Sequence, residues 1–204
     1  SIGYSAVTGI WQTVWVEPVP AAHITSVVTV PDIDTHTATV TVGIEGAPAG
    51  TPIAVTAMSA GRTVTTARGR TGAPIVLHLL RQHLWSTTDP FLYDLRVSIA
   101  GGDTVGSYFG MRKISLGHDA AGVTRLFLNN KPLFEYGTLD QGWWPDGLYT
   151  APTDSAMRYD IDVTRHLGFN MIRKHVKVEP ERWYYYTDKI GMLVWYDMPS
   201  GDNN

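Results

Sequence analysis

The spacing of apolar residues changes once along this chain, close to residue 117. Before that point they recur at every second position, as in Ala38, Val40, Val42 and Ile44. A period of two is typical of a β-strand with one buried face. Beyond it, short apolar runs alternate with segments that have the spacing of amphipathic helices. The sequence therefore predicts an all-β part followed by a part in which strands and helices alternate.

The all-β part is predicted between residues 21 and 116. Its strand candidates are residues 24–30, 37–44, 53–58, 62–67, 75–79 and 93–99. Turn-forming residues, mostly Gly, Pro, Ala and Asp, separate them at 46–50, 69–74 and 101–103. Roughly seven short strands at this spacing are typical of an antiparallel immunoglobulin-like β-sandwich.

The second part, residues 117–204, reads as β-α-β-α-β. Strands are predicted at 133–138, 169–173 and 192–195, and helices at 155–166 and 181–189. Thr153 or Asp154 can cap the first helix, Pro180 can open the second, and Gly168 and Gly191 can end them. Short connections in this order predict parallel strands. Three such strands are too few for a closed barrel, so the prediction is the first three β/α units of a (β/α)8 barrel.

Composition excludes several classes of partner. The net charge is −3 with no run of Lys or Arg, which argues against nucleic acid. No apolar stretch approaches the roughly 20 residues that span a bilayer. Cysteine is absent and the histidines have no ligand spacing, so neither a metal site nor a cofactor is predicted. Residues 1–4 lack the order of a signal peptide, and both ends of the chain look cut.

Several segments, in chain order, resemble glycoside hydrolase family 2, the β-galactosidase, β-glucuronidase and β-mannosidase type. They are residues 8–17, 84–93, 109–114, 128–134, 169–175 and 183–199. The apolar residues from 10 to 16 predict a strand near the start of the chain. The resemblance implies that residues 1–20 hold the last strand of a sugar-binding jelly roll. It implies the immunoglobulin-like sandwich at 21–116 and an incomplete TIM barrel at 117–204.

The same resemblance implies a retaining glycosidase, which needs two carboxyl groups about 5–5.5 Å apart. In the family the acid/base Glu follows an Asn after the fourth barrel strand, and the nucleophile lies near the seventh. No Asn-Glu pair occurs in this chain. No catalytic residue is therefore assigned, and the 204-residue chain alone is predicted to be inactive.

Candidate substrate-binding residues lie at the carboxyl ends of the three predicted parallel strands, where barrel active sites are built. They are Asp140 and Gln141, then Arg173 and His175, then Asp197. The resemblance implies that Arg173 supports the nucleophile. Family members read Arg-x-Ser-His, whereas His175 directly follows Lys174 here, so its role stays open between substrate contact and structure. Asp140 and Gln141 either hold sugar hydroxyls or cap the loop, and Asp197 is expected to order the site.

Trp143 and Trp144 follow the first of these strands, and aromatic faces suit the apolar side of a sugar ring. The alternative is a hydrophobic plug under the loop. Glu135 lies inside the predicted strand, away from its end, so a salt bridge is expected there rather than catalysis.

Three functions remain open. The first is part of an exo-acting retaining glycosidase that acts on β-linked oligo- or polysaccharides. The second is a non-catalytic carbohydrate-binding or interaction module, and the third is a spacer. Carbohydrate is the expected partner, and the resemblance favours a bacterial periplasmic or extracellular location. An unpaired sheet edge predicts poor solubility or homo-oligomers of the isolated chain.

Overall fold

The computed structural model describes residues 5–199, which form two compact units. Residues 17–134 make up the first unit, and residues 5–16 together with 135–199 make up the second. Residues 1–4 and 200–204, at the start of the predicted jelly-roll segment and the end of the predicted barrel part, lie outside the described residues.

Seven antiparallel strands build the main body of the first unit. They are β1 (His23–Asp32), β2 (Thr37–Glu45), β3 (Pro52–Ser59), β4 (Arg62–Arg70), β5 (Ile75–His78), β6 (Tyr93–Ile99) and β7 (Thr104–Phe109). One sheet has the order β1-β2-β5 and the other β4-β3-β6-β7. All six strands that were predicted individually are confirmed, and β7 adds a seventh.

One hydrophobic core joins these two sheets. Val40 from the first sheet and Val55, Leu95 and Val97 from the second are all buried in it. The alternating pattern explains the core, since every second side chain of β3 and β6 points to the same side. The main body of the first unit is therefore a two-sheet antiparallel sandwich.

A further sheet of three strands completes the first unit: β8 (Ile114–His118), β9 (Thr124–Leu128) and β10 (Lys131–Pro132). Neither β8 nor β9 was among the predicted strands. Asn129 and Asn130 connect β9 to β10, both with positive φ (53° and 63°), as a two-residue type I′ hairpin requires. The hairpin that the resemblance implied at residues 128–134 is thus present.

The second unit follows the predicted β-α-β-α-β order. Its elements are β11 (Gly137–Asp140), α1 (Asp154–His166), β12 (Met171–Lys174), α2 (Glu181–Ile190) and β13 (Leu193–Tyr196). The three strands are parallel, in the order β11-β12-β13. The prediction of parallel strands is confirmed, although each strand begins one to four residues later than expected. The latest, β11, begins at Gly137, where a side chain would collide with the carbonyl oxygen of Met171.

Local signals explain where the helices begin and end. The Thr153 hydroxyl accepts a hydrogen bond from the Ala156 amide at 3.0 Å, so Thr153 is the N-cap of α1. Gly191 ends α2 in the left-handed conformation at φ 82°. Both helices pack on the sheet through a core of Met157, Ile161, Ile172, Trp183 and Met192. No helix within residues 5–199 is long and apolar enough to span a bilayer.

The predicted strand at residues 10–16 is wrong. Backbone hydrogen bonds to a neighbouring strand are what make an extended segment a strand, and no sheet within residues 5–199 includes this segment. Ile10 and Val16 are 83% and 96% exposed. The segment is held instead by single contacts, such as the hydrogen bond from the Thr150 hydroxyl to the Trp11 carbonyl at 2.9 Å.

Candidate functional site

The register of the parallel sheet assigns its residues to two faces. Arg173 lies level with Leu139 on one neighbouring strand and Trp195 on the other, and all three are exposed. Ile172 and Lys174 point the other way and are buried on the side covered by the helices. One face of the sheet is therefore open, and Arg173 lies on it near the carboxyl ends of the strands.

Arg173 and Asp197 form a two-point ion pair at this edge. The Arg173 Nε donates to Asp197 Oδ1 at 3.2 Å, and its Nη2 donates to Oδ2 at 3.0 Å. The planar guanidinium matches both carboxylate oxygens, which fixes the orientation of both side chains. The structure thus brings together two of the sequence-predicted site residues.

Gln141 and His175 form a second pair, on the β11–β12 side of the same edge. The Gln141 amide nitrogen lies 3.0 Å from His175 Nδ1, and the His175 backbone amide donates to the Asp140 carbonyl at 2.9 Å. The Gln141 amide thus contacts the imidazole ring directly. His175 is therefore held in one orientation by contacts at both its ring and its backbone.

Asp140 differs from the other candidates because its carboxylate is engaged on the helix side of the sheet. Its Oδ2 accepts from Lys174 Nζ at 2.6 Å, and its Oδ1 accepts from the Gly142 amide at 2.7 Å. The second contact is a loop cap, one of the two roles that the sequence left open for this residue. Asp140 is thus placed to shape the loop after β11.

Two buried lysines and a buried glutamate extend this arrangement, and the sequence analysis missed all three. Glu179 Oε1 lies 2.9 Å from Lys174 Nζ and 3.1 Å from Lys177 Nζ. With the half-buried Asp140 they form an ion cluster of two cations and two anions. The alternation of β12 carried one usable signal, since Lys174 shares the face of Ile172, which the helices cover.

Burial also changes the titration of this cluster and its surroundings. The loss of water around Lys177 lowers the pKa of its ammonium group, and the negative charge of Glu179 partly offsets that effect. Burial likewise raises the pKa of the nearby Tyr149 phenol. The polar partners of Lys177 therefore have to offset the free-energy cost of burying its ammonium group.

The loop between β11 and α1 carries Trp143 and Trp144. Trp144 and Leu148 exchange backbone hydrogen bonds at 2.8 and 2.9 Å, which closes the loop on itself. Trp143 meets the ring of Tyr149 edge-on at 5.9 Å. Trp143, Trp11 and Tyr149 also line a cavity of about 480 Å³. Both tryptophans are half-buried, so each keeps surface that a ligand can reach.

A smaller cavity of about 260 Å³ lies beside the end of β11. Asp140, Gln141 and Trp143 contribute to its wall, together with Asp160 and Thr164 from α1. The cavity is lined mainly by polar groups, which are the groups that bind sugar hydroxyls.

Glu135 does not form the expected salt bridge. Its Oε2 accepts a hydrogen bond from the indole nitrogen of Trp195, and no ion pair to Glu135 is found among residues 5–199. Trp195 is exposed on the open face of the sheet, and its neutral indole N–H is the donor to Glu135. The salt-bridge prediction is therefore wrong in its partner. Within the same residues, no cluster of three or more His, Asp and Glu side chains is arranged to hold a metal ion.

Comparison with known proteins bears on the sandwich most directly. Residues 22–112 match the family model of the glycosyl hydrolases family 2. The β-galactosidase large subunit of Leuconostoc lactis is 26% identical over 202 residues, which is 92% of this chain and 31% of that protein. The exo-β-D-glucosaminidase of Amycolatopsis orientalis is 28% identical over 103 residues, 50% of this chain and 10% of that protein. This chain thus spans less than a third of either relative.

A solved structure shares the fold over a longer range. The β-glucuronidase of Ruminococcus gnavus superimposes with a TM-score of 0.74 over 89% of this chain and 29% of its own, at 19% identity. At that identity the likeness shows the fold alone. The sandwich thus matches a glycosyl hydrolases family 2 model, and the similar proteins over the rest of the chain are glycosidases.

Proposed function

We propose that this chain is part of a retaining, exo-acting glycoside hydrolase that cleaves O-glycosidic bonds in β-linked oligo- or polysaccharides. Its sandwich is then the immunoglobulin-like domain, and its parallel unit is the first part of a TIM barrel. The catalytic acid/base and nucleophile lie outside these 204 residues, in agreement with the absence of an Asn-Glu pair from the sequence.

One observation carries this proposal: the strand ends of the parallel sheet gather polar and aromatic side chains at one edge. Arg173 and Asp197 are locked together at 3.0 and 3.2 Å, and Gln141 holds His175 at 3.0 Å. In α/β barrels the substrate binds at this edge, on loops that follow the strands. A sugar offers hydroxyl groups to such pairs and an apolar ring face to an aromatic side chain.

We assign the substrate contacts to Gln141, Trp143, Trp144, Arg173 and His175. Asp197 holds Arg173 in place. Asp140 contributes indirectly, because Lys174 and the Gly142 amide already occupy both of its carboxylate oxygens. The bacterial periplasm or exterior is proposed as the location, on the family resemblance alone.

The test is to incubate the purified 204-residue chain with aryl β-galactoside, β-glucuronide and β-mannoside, and to titrate the corresponding free sugars by NMR. No cleavage is expected, but weak binding of at least one sugar is. Trp143→Ala and Trp144→Ala should weaken that binding, whereas Trp15→Ala, at an exposed position, should not. Cleavage by the chain alone would contradict the placement of the catalytic groups outside it.

A non-catalytic carbohydrate-binding module is the second candidate, and the same open edge favours it. A longer gene product with an Asn-Glu pair and a second, downstream Glu supports the hydrolase. A product without either supports the module. If no sugar of the panel binds, both candidates fail and the spacer function gains support.

We also propose that the isolated chain forms homo-oligomers. Within the described residues, β11 and β13 are the edges of a three-stranded sheet, and Leu139 and Trp195 are exposed on its open face. Unpaired edges and apolar faces favour association. Light scattering should therefore show species larger than 22.5 kDa. A monodisperse monomer would exclude this proposal.

A further inference from the structure

Two lysines with the same burial have different partners in the second unit. Lys174 and Lys177 are each 1% exposed, and both contact Glu179 Oε1. Lys174 additionally binds the Asp140 side chain at the end of β11. Lys177 instead donates to two backbone carbonyls, Gly142 at 2.6 Å and Tyr149 at 2.8 Å. These two carbonyls lie on either side of Trp143 and Trp144.

We propose that Lys177 is a positioning residue whose buried ammonium group ties together the two ends of the loop that carries Trp143 and Trp144. Its role is to hold this loop, residues 142–149, in one conformation before any ligand arrives.

Lys177 has three polar partners. An ammonium group has N–H donors and no acceptor; Lys177 donates to Gly142 O and Tyr149 O and forms an ion pair with Glu179 Oε1 at 3.1 Å. A buried cation is costly unless it is paired and hydrogen-bonded. Because two of the three partners are loop carbonyls, opening the loop would leave the cation with Glu179 as its only polar partner in this set.

Aromatic rings complete the surroundings of this cation. The Lys177 Nζ lies 4.6 Å from the centre of the Tyr149 ring and 5.4 Å from that of Trp11. A ring face attracts a cation most strongly where water is excluded. Tyr149 is thus held by Lys177 through both its backbone and its ring, and it in turn supports Trp143 edge-on.

The loop also has backbone hydrogen bonds of its own, and the exchange of their amides can report how often the loop opens. Trp144 and Leu148 exchange two backbone hydrogen bonds inside the segment that Lys177 closes. Their amides exchange with solvent only when the loop opens. Hydrogen bonds to a charged donor contribute about 1.5–3 kcal/mol each, which converts to roughly 10- to 100-fold in the opening equilibrium for each bond, and Lys177 makes two of them to the loop.

The consequence for ligand binding rests on the proposed function. A loop that is ordered before binding loses less conformational entropy when it meets a ligand. If Trp143 and Trp144 stack on a sugar, Lys177 raises the affinity of the site without contacting the sugar.

The test compares Lys177→Met with Lys174→Met in the full 204-residue chain. Met keeps the length and apolar stem of Lys but removes its charge and donors. Native-state hydrogen exchange by NMR is measured at the Trp144 and Leu148 amides. The amide of Leu193, which donates to the Asn170 carbonyl in the sheet, is the internal reference. The fluorine NMR signals of 5-fluorotryptophan at positions 143 and 144 report on the order of the rings.

In Lys177→Met, which loses two such bonds, exchange at Trp144 and Leu148 should accelerate at least about 10-fold relative to Leu193, and the two fluorine signals should broaden or shift. In Lys174→Met, which loses a buried charge but no loop carbonyl contact, that ratio should change much less. Equal ratios in the two variants, or an unchanged ratio in Lys177→Met, would overturn the inference.

Should Lys177→Met not fold, Lys177→Gln retains two N–H donors without the charge and is measured against its own Leu193 amide. An unchanged ratio in that variant, with loop order retained, would also reject the need for an ammonium group. None of these readouts requires a sugar. Failure of every sugar to bind would therefore reject the proposed function while leaving the loop measurement intact.

Discussion

The sandwich and the parallel unit, which are the first and second units of the chain, differ in the side chains that they bury. The sandwich core is built from apolar side chains, with Thr87 as the single buried polar residue identified among residues 17–134. The smaller parallel unit buries Lys174, Lys177, Glu179 and Thr187. Among the described residues, the buried charges thus lie in the second unit, near the ends of its parallel strands.

This difference follows from sheet geometry. An antiparallel pair satisfies its backbone groups within the ladder and turns back through short hairpins. Parallel strands all end at one edge, where the chain must leave the sheet through loops with free carbonyl and amide groups. Here the ion cluster binds several of those groups, such as the Gly142 amide and the Gly142 and Tyr149 carbonyls. The cluster therefore orders the edge at which the candidate substrate contacts lie.

The largest loss of stability is expected for Glu179→Gln. The substitution keeps the shape but removes one of the two anions that face Lys174 and Lys177. A buried cation that loses its partner is strongly destabilising, and a loss of about 3–5 kcal/mol is expected. Urea denaturation gives the free energy of unfolding, and hydrogen exchange by mass spectrometry should locate the loss in residues 135–199.

Glu17→Gln, at an exposed site, is the control and should change the free energy of unfolding by less than about 0.5 kcal/mol. Protection lost equally in the sandwich would contradict the separation of the two units.

The corresponding substitution in the sandwich is Leu95→Ala. Leu95 is 1% exposed, so the substitution creates a cavity in an apolar core and should cost about 2–5 kcal/mol. Leu116→Ala removes the same atoms at a position that is 73% exposed and should be nearly neutral. Hydrogen exchange should place the loss within residues 17–134. A variant that loosened the Trp144 and Leu148 amides as much as the sandwich would show that the two units unfold together.

The sequence predicts the two units unequally well, for the same physical reason that separates them. Alternation identifies the sandwich strands, because each has one buried apolar face. It fails at residues 10–16, where an apolar run has no neighbouring strand within the described residues, and at β8, whose Ile114 and Leu116 are exposed. Helix signals are local, so Thr153 and Gly191 mark the observed cap positions.

The candidate site is harder to predict because its arrangement depends on which face each side chain takes. The sequence places Asp140 and Arg173 at strand ends, but only the register shows that they point to opposite sides. Lys177 and Glu179 lie in an irregular segment after β12, where no period assigns a face. Their burial depends on the loop after β11, which folds against them, and the sequence does not show that contact.

A smaller effect is expected at the start of α1, where the parallel unit relies on a local signal. Thr153→Ala removes the hydroxyl that accepts from the Ala156 amide at 3.0 Å. Loss of an N-cap typically costs about 1 kcal/mol, and the change should appear as faster amide exchange in the first turn of α1. Ser155→Ala, in that same turn, removes a hydroxyl that is not the cap and serves as the matched control. Equal losses in the two variants would argue against capping as the cause.

The smallest effect on stability, and the most informative for function, is expected for Arg173→Ala. Arg125 in β9 offers a close match in the other unit, since it also pairs with an aspartate, Asp119, at 2.9 Å. The two arginine side chains are 49% and 53% exposed. Exposed ion pairs contribute about 0.2–1 kcal/mol, so both alanine variants should unfold at nearly the same urea concentration. Their effects on sugar binding should differ, because only Arg173 lies at the carboxyl edge of the parallel sheet. If Arg125→Ala weakened sugar binding as much as Arg173→Ala, the binding site would not be at this edge, and the charge concentrated in the parallel unit would serve its folding alone.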